Sequence, residues 1–381
     1  MIYKAFQDLK LSALGFGAMR LPVVAGKDAD IDKDAASAMV AEAMRQGINY
    51  YDTAWGYHEG NSELVMGEIL SAYPRDSFYL ATKFPGYDLS NMNKVEEIFE
   101  KQLEKCRVEY FDFYLFHNVC EMNIEDYLDE RHGIYDYLME QKRNGRIRHL
   151  GFSAHGDTPV MRRFLEKYGK DMEFCQIQLN YLDLRFQDAQ AKLDLLKEYG
   201  IPVWVMEPLR GGRLAKLSAE EIAKLADLRP DETPVAWAFR FLQSIPQVTM
   251  VLSGMSNMEQ LTANVDTYTD EKPLNEEEQK ALQEIAEAMA AKVALPCTSC
   301  RYCTSHCPQG LDIPYLLSLY NEHRSTTEVG GMSFIAPMAL SAVEKEKLPS
   351  ACIGCSSCEA VCPQQIKISQ AMQEFSGMLG M

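Results

Sequence analysis

Short apolar runs that close on a polar residue alternate with stretches of helical spacing over the first three quarters of the chain. The runs predict buried parallel strands near Ala13–Gly17, Tyr50–Thr53, Tyr79–Lys83, Phe113–His117, His149–Ser153, Phe174–Leu179, Pro202–Met206 and Thr249–Ser253. Helical stretches lie between them, among them Asn61–Ala72, Lys94–Arg107 and Asp188–Tyr199. The last of these stops at Gly200, ahead of Ile201-Pro202, a helix-ending sequence before a strand. This alternation predicts an α/β fold, a parallel sheet closed into a (β/α)8 TIM barrel. The run Glu125–Arg131 is expected to be a solvated helix face. Glu276-Glu277-Glu278 opens a further helix, to about Lys292, with its acids at the favourable end. A boundary is expected near Ala294-Leu295-Pro296, giving a barrel over 1–293 and a smaller, mainly helical domain over 294–381.

Chemistry in such a barrel sits where strands end. Tyr50-Tyr51-Asp52 ends in an acid, and Tyr57 follows on the loop; the next two strands end in Lys83 and His117. Any one of these groups alone reads as an ordinary rim residue. Together they make an acid site. A phenol with a pKa near ~10 is a weak donor at neutral pH. A nearby ammonium, Lys83, is expected to lower that pKa, and Asp52 to balance the buried lysine. A neutral imidazole, His117, can hydrogen-bond a carbonyl oxygen as charge develops on it. Trp55, Phe84 and Met19 are candidate pocket walls.

The C-terminal quarter carries a different signal. Cys297, Cys300, Cys303 and Cys307, followed by Pro308, have the spacing Cys-x2-Cys-x2-Cys-x3-Cys-Pro; Cys352, Cys355, Cys358, Cys362 and Pro363 repeat it. This is the spacing of two-cluster bacterial ferredoxins, in which the fourth cysteine of each run ligates the other cluster. One 4Fe-4S cluster would take Cys297, Cys300, Cys303 and Cys362, the other Cys352, Cys355, Cys358 and Cys307. Structural zinc also uses Cys-x2-Cys, but needs neither the third cysteine nor the Cys-Pro ending. The long spacer, Gln309 to Ala351, looks helical around Pro314–Tyr320 and Pro337–Lys345. Cys106, Cys120 and Cys175 have no ligand spacing.

The motifs Leu14-Gly15-Phe16-Gly17-Ala18-Met19, Tyr51-Asp52-Thr53-Ala54, Thr82-Lys83, Phe116-His117, Gly151-Phe152-Ser153 and Pro208-Leu209, with Gly254 through Asn264, resemble the aldo-keto reductase family in order. The resemblance implies a nicotinamide nucleotide, NADP(H) or NAD(H), across the barrel mouth near Gly17 and Met19. Ser153 and Gln176 match the positions that bind the carboxamide; Leu209 and Gly211 match the loop beside the pyrophosphate. Gly254, Ser256, Gln260 and Asn264 match the adenine and 2′-phosphate segment, in a form similar to the potassium-channel beta-subunit branch. Three positions depart from the pattern. Ala154 stands for an asparagine, Met206 for the aromatic residue that stacks on the nicotinamide, and Ala263 for an acid. No Lys or Arg occurs between Gly254 and Asn264, although a 2′-phosphate favours one.

The net charge of −17 argues against nucleic acid and against anionic membrane surfaces as partners. No signal peptide and no membrane-spanning run is expected, and clustered cysteines in a cytoplasmic chain point to metal rather than disulfides. Two function classes follow. The first is an enzyme that reduces an aldehyde or ketone, or oxidises the alcohol, with clusters for electron transfer. Hydride transfer moves two electrons and each cluster one, so a flavin and a ferredoxin or other redox donor form an alternative within this class. The second is an electron-carrier or regulatory subunit that binds a nucleotide without turnover.

Overall fold

The computed structural model describes residues 1–186, 188–293, 295, 297, 301, 303–327, 333–362 and 364–381. Two short strands open the chain, β1 (Tyr3–Phe6) and β2 (Leu9–Ser12), paired antiparallel. The hydrophobic pattern does not predict this hairpin. Its turn is Gln7-Asp8, with Gln7 at φ 52°, where Asn-Gly or a glycine is the usual signal.

The strands β3 (Leu14–Gly17), β4 (Tyr50–Asp52), β5 (Tyr79–Phe84), β6 (Phe111–Val119), β7 (Ile147–Ala154), β8 (Cys175–Gln178), β9 (Val203–Met206) and β10 (Val248–Gly254) close a barrel. Each pairs in parallel with the next in sequence, and β10 returns to β3. These are the expected strands, displaced by at most a few residues at their ends. Tyr50, Phe113, Phe174, Trp204 and Met250 fill the interior, and Phe6 and Leu11 of the hairpin pack into the same cluster. The Phe6 ring meets Trp204 edge-on at 5.0 Å, so the hairpin plugs one end of the barrel and leaves the strand C-termini as the opposite rim.

The helices beyond the strands leave little slack. Helix Ser62–Leu70 crosses helix Val95–Cys106 at Gly67, where a Cβ would lie 2.3 Å from the Lys105 carbonyl oxygen and 2.7 Å from the Cys106 backbone. Gly67→Ala must therefore push two backbones apart. It should cost about 1–3 kcal/mol, read as a lowered midpoint in urea unfolding. The run Glu125–Arg131 differs from expectation. Helix Ile124–Leu128 ends at Asp129, which leaves helical backbone and accepts a hydrogen bond from the Arg131 N–H, starting a separate 3-10 turn, Glu130–His132. An aspartate that can cap its own turn competes with helix continuation.

By contacts the chain divides into two compact units, residues 1–209 with 229–279, and residues 210–228 with 280–381. In the second unit, helices Ile313–Thr327, Ile335–Ser341 and Ile368–Met378 enclose a core that includes Leu316, Tyr320, Leu340, Met372 and Phe375, with Cys303 and Cys358 buried in it. No strand occurs among its described residues. Within this unit the Arg213 guanidinium donates to the Ser325 carbonyl oxygen, and Arg210 lies 3.9 Å from Glu322. Of the expected boundary, Ala294 and Pro296 lie outside the described residues. No helix among the described residues is long and apolar enough to cross a membrane.

Candidate active site

Barrel register brings the strand-end polar groups to one rim. Asp52 ends β4 opposite Gly17 of β3 and Ala81 of β5, and Lys83 stands opposite Leu115, two residues before His117. The Lys83 ammonium donates to Asp52 Oδ1 at 2.6 Å and to the Thr53 carbonyl oxygen at 2.8 Å, with both side chains buried. Its Nζ also sits 5.2 Å from the centre of the Tyr57 ring. The rings of Tyr57 and Tyr87 each meet His117 edge-on, at 6.3 Å and 5.2 Å. Tyr87, which the sequence pattern does not single out, thus forms part of the same cluster.

The electrostatics differ from the expectation in one respect. Burial pushes the Tyr57 phenol well above the usual range, and the carboxylates of Asp52 and Glu207 add to the shift. Lys83 does not reverse this, because its charge is matched by Asp52 at 2.6 Å. Burial pushes Asp52 up and Lys83 down, and each opposes the other's shift across the pair. His117 is held well below the ordinary histidine range by burial first, then by Lys83 and His155. Its imidazole is therefore neutral near pH 7, and its Nδ1 has no hydrogen-bond partner among the described residues. The rim thus gathers a protonated phenol, a buried ion pair and a neutral imidazole.

The expected nucleotide positions fall into groups. Ser153 and Gln176 are register partners on β7 and β8. The Ser153 hydroxyl accepts from the Asn118 N–H at 2.8 Å, while Gln176 Oε1 is buried without a partner among the described residues. The Gln176 amide lies 3.6 Å from the Met206 sulfur. After β10, Gln260 Oε1 accepts from the Ser256 N–H at 2.8 Å, and the Ser256 hydroxyl donates to the Arg20 carbonyl oxygen at 3.0 Å. Asn264 is buried and donates to the Ser253 hydroxyl at 3.1 Å. Gly17 and Gly254 are paired across β3 and β10, and a Cβ on Gly254 would crowd Arg20. Met19 is exposed, Leu209 half-buried, and Gly211 belongs to the second unit with φ 64°. Of the candidate walls, Trp55 lies under the Lys105 ammonium at 4.4 Å. Phe84 is wholly buried against Tyr127, so it packs the barrel instead of facing a ligand.

In the second unit Cys307, Cys352, Cys355 and Cys358 line one cavity, with Leu311, Ile313 and Met372 among its other walls. None of the described cysteines forms a disulfide. Four soft thiols in an apolar shell suit an iron-sulfur cluster. Cys297, Cys303 and Cys362 touch the same core; Cys300 and Pro363 lie outside the described residues. Among the described residues no three His, Cys, Asp or Glu side chains converge closely enough to hold a single metal ion.

Comparisons with known proteins bear on the barrel and on the C-terminal residues as domains. The model of the Aldo/keto reductase family matches residues 13–287, and that of a 4Fe-4S dicluster domain matches residues 296–366. The chain is 27% identical to the uncharacterized oxidoreductase YqkF of Bacillus subtilis, over 72% of this chain and 93% of that protein. It is 24% identical to the NADH-specific methylglyoxal reductase of Escherichia coli, over 74% and 97%. Among solved structures, aldo-keto reductase AKR11C1 of Bacillus halodurans in its holo form superposes with a TM-score of 0.63 at 27% identity, covering 76% of this chain and 97% of that one. The barrel, the motif order and the matched span give one conclusion: the chain belongs to the aldo/keto reductase family and is an oxidoreductase with a 4Fe-4S dicluster domain C-terminal to its barrel.

Proposed function

We propose that the barrel interconverts an aldehyde or ketone and its alcohol with NADP(H) or NAD(H), using Asp52, Tyr57, Lys83 and His117. The observation that carries this reading is the meeting of these four side chains at one strand-end rim. When bound, a reduced nicotinamide would supply the hydride. His117, neutral, orients the carbonyl oxygen by a hydrogen bond. Tyr57 gives its proton to that oxygen as alkoxide charge develops there, and takes it back in the reverse direction. A phenol held above its usual pKa stays protonated through the neutral range and yields its proton only to a strong base, which the forming alkoxide is. Lys83, oriented by Asp52 and the Thr53 carbonyl, then faces the phenolate left behind. Ser153 and Gln176 would hold the carboxamide, and the Ser256–Asn264 segment the adenylate end.

For the C-terminal residues, with a domain boundary near 294, we propose two 4Fe-4S clusters, ligated as the repeated spacing implies. The cavity lined by Cys307, Cys352, Cys355 and Cys358 supports one of the two sets. The clusters would supply single electrons, with a ferredoxin or similar carrier as partner and the reducing cytoplasm as location. A second reading has one observation in its favour: Met206 stands against Gln176 where the family stacks an aromatic ring, which leaves room for a flavin.

Anaerobic protein with its iron and sulfide intact separates the readings. NADPH, and NADH in a second sample, should leave the cluster absorption unchanged while supporting reduction of 4-nitrobenzaldehyde. Bleaching of the clusters by either nucleotide would instead require a two-electron to one-electron relay and favour the flavin reading.

A further inference from the structure

Lys83 is the end of a polar chain that continues through the barrel wall. Side chains alternate along a strand, so Lys83 and its neighbour Thr82 point to opposite faces of β5. On the Thr82 side stands Glu63, from helix Ser62–Leu70, without solvent exposure. Its Oε1 accepts from Thr82 Oγ1 and from Gln102 Nε2, both at 2.7 Å, and its Oε2 accepts from Lys105 Nζ at 2.7 Å. Gln102, from helix Val95–Cys106, also donates to the Lys83 carbonyl oxygen at 2.9 Å, and its own oxygen accepts from the Tyr114 hydroxyl at 2.6 Å. Every polar atom of this cluster has a partner, and one amide touches both the Glu63 carboxylate and the backbone of Lys83.

A buried ion pair is a poor way to stabilise a fold, because packed apolar side chains of the same volume do at least as well. Two such pairs, Asp52–Lys83 and Glu63–Lys105, lie on either side of one strand end. We propose that Glu63 and Lys105 are positioning residues for Lys83: through Gln102 they fix the end of β5, and Glu63 is a second anion that keeps Lys83 cationic, with Lys105 moderating it. This rests on the assignment of Lys83 to the reaction. The groups that face Lys83 are Asp52 and the Thr53 carbonyl from β4, the Tyr57 ring from the following loop and His117 from β6; Glu63 acts on it from helix Ser62–Leu70, and Lys105 is paired with Glu63. Burial lowers the Lys83 pKa; Asp52 and, after it, Glu63 raise it.

The two partners predict opposite effects, which a purely structural role does not. Glu63→Gln removes an anion, so the alkaline limb of kcat/KM for NADPH-linked reduction of 4-nitrobenzaldehyde should move to lower pH, by about half a unit or more. Lys105→Gln keeps a donor to Glu63 but removes the opposing cation, so the limb should move to higher pH. The NMR titration of Lys83 Cε, assigned with Lys83→Met, should shift the same way in nucleotide-free protein. Limbs and titrations that stay in place, or move together, overturn the proposal, whatever happens to the unfolding midpoint. If Glu63→Gln does not fold, the upward shift in Lys105→Gln decides alone. Insensitive limbs in an enzyme that Tyr57→Phe inactivates remove only the positioning pair; turnover that survives Tyr57→Phe removes the assignment beneath it.

Discussion

Tyr57→Phe is expected to lower kcat for carbonyl reduction by roughly 10²- to 10⁴-fold, the usual contribution of a positioned general acid. Among the described residues the phenol makes no hydrogen bond, and the ring contacts with Lys83 and His117 involve its face and edge. Phenylalanine preserves both, so the unfolding midpoint and the Kd for NADPH should hardly change. That separation makes the variant informative. A matching loss of nucleotide affinity would show that Tyr57 binds instead of donating, and turnover within tenfold of the original would end the case for proton transfer through this group. The raised phenol pKa adds a pH signature: reduction should not fall as pH rises from 7 to 9 on account of Tyr57 ionising. A descending limb in that interval must belong to another group, and the lowered pKa of Lys83 makes it the first candidate.

The second large effect is expected from Cys355→Ala. Cys355 is exposed, unlike Cys303 and Cys358, which are buried in the core of the second unit. Its loss would therefore remove a proposed ligand without opening a cavity, whereas Cys358→Ala would do both. Bound iron should drop by roughly half if Cys355 serves one of two 4Fe-4S clusters, with Cys307, Cys352 and Cys358, and electron transfer from reduced ferredoxin should disappear. NADPH-linked reduction of 4-nitrobenzaldehyde should persist, because Asp52, Tyr57, Lys83 and His117 all come from the barrel. Unchanged iron content would remove Cys355 from the ligand set. Loss of the barrel activity together with the iron would make the clusters part of the folding of the whole chain.

How far the sequence reveals this molecule depends on how each feature is encoded. Strand cores are contiguous, so runs such as Phe111–His117 announce both an element and, at the polar end, a candidate residue. Cysteines at fixed short spacing are equally visible. The hairpin over Tyr3–Ser12 is not, because Gln7 takes its left-handed turn without glycine. Nor is the Glu63–Lys105 pair: an acid in the first turn of a helix and a lysine in the last turn of another look like ordinary dipole partners at the surface. Only the crossing of the two helices at Gly67 buries them together. The direction of the Tyr57 shift was illegible for a related reason. Spacing shows that a lysine can come near, but how completely a carboxylate matches its charge is a matter of ångströms.

The discontinuous second unit has a temporal consequence. Arg213 and the Ser325 carbonyl it binds are 112 positions apart, and at about 5–20 residues per second the ribosome needs roughly 6–22 s to bridge that gap. Strand β10, which closes the barrel, is made well before Ser325. During synthesis residues 210–228 must therefore wait, tethered to a barrel that can already close, for the helix that will receive them. A nascent chain halted in this interval should be nicked by protease within that segment first, and a chaperone would find it there.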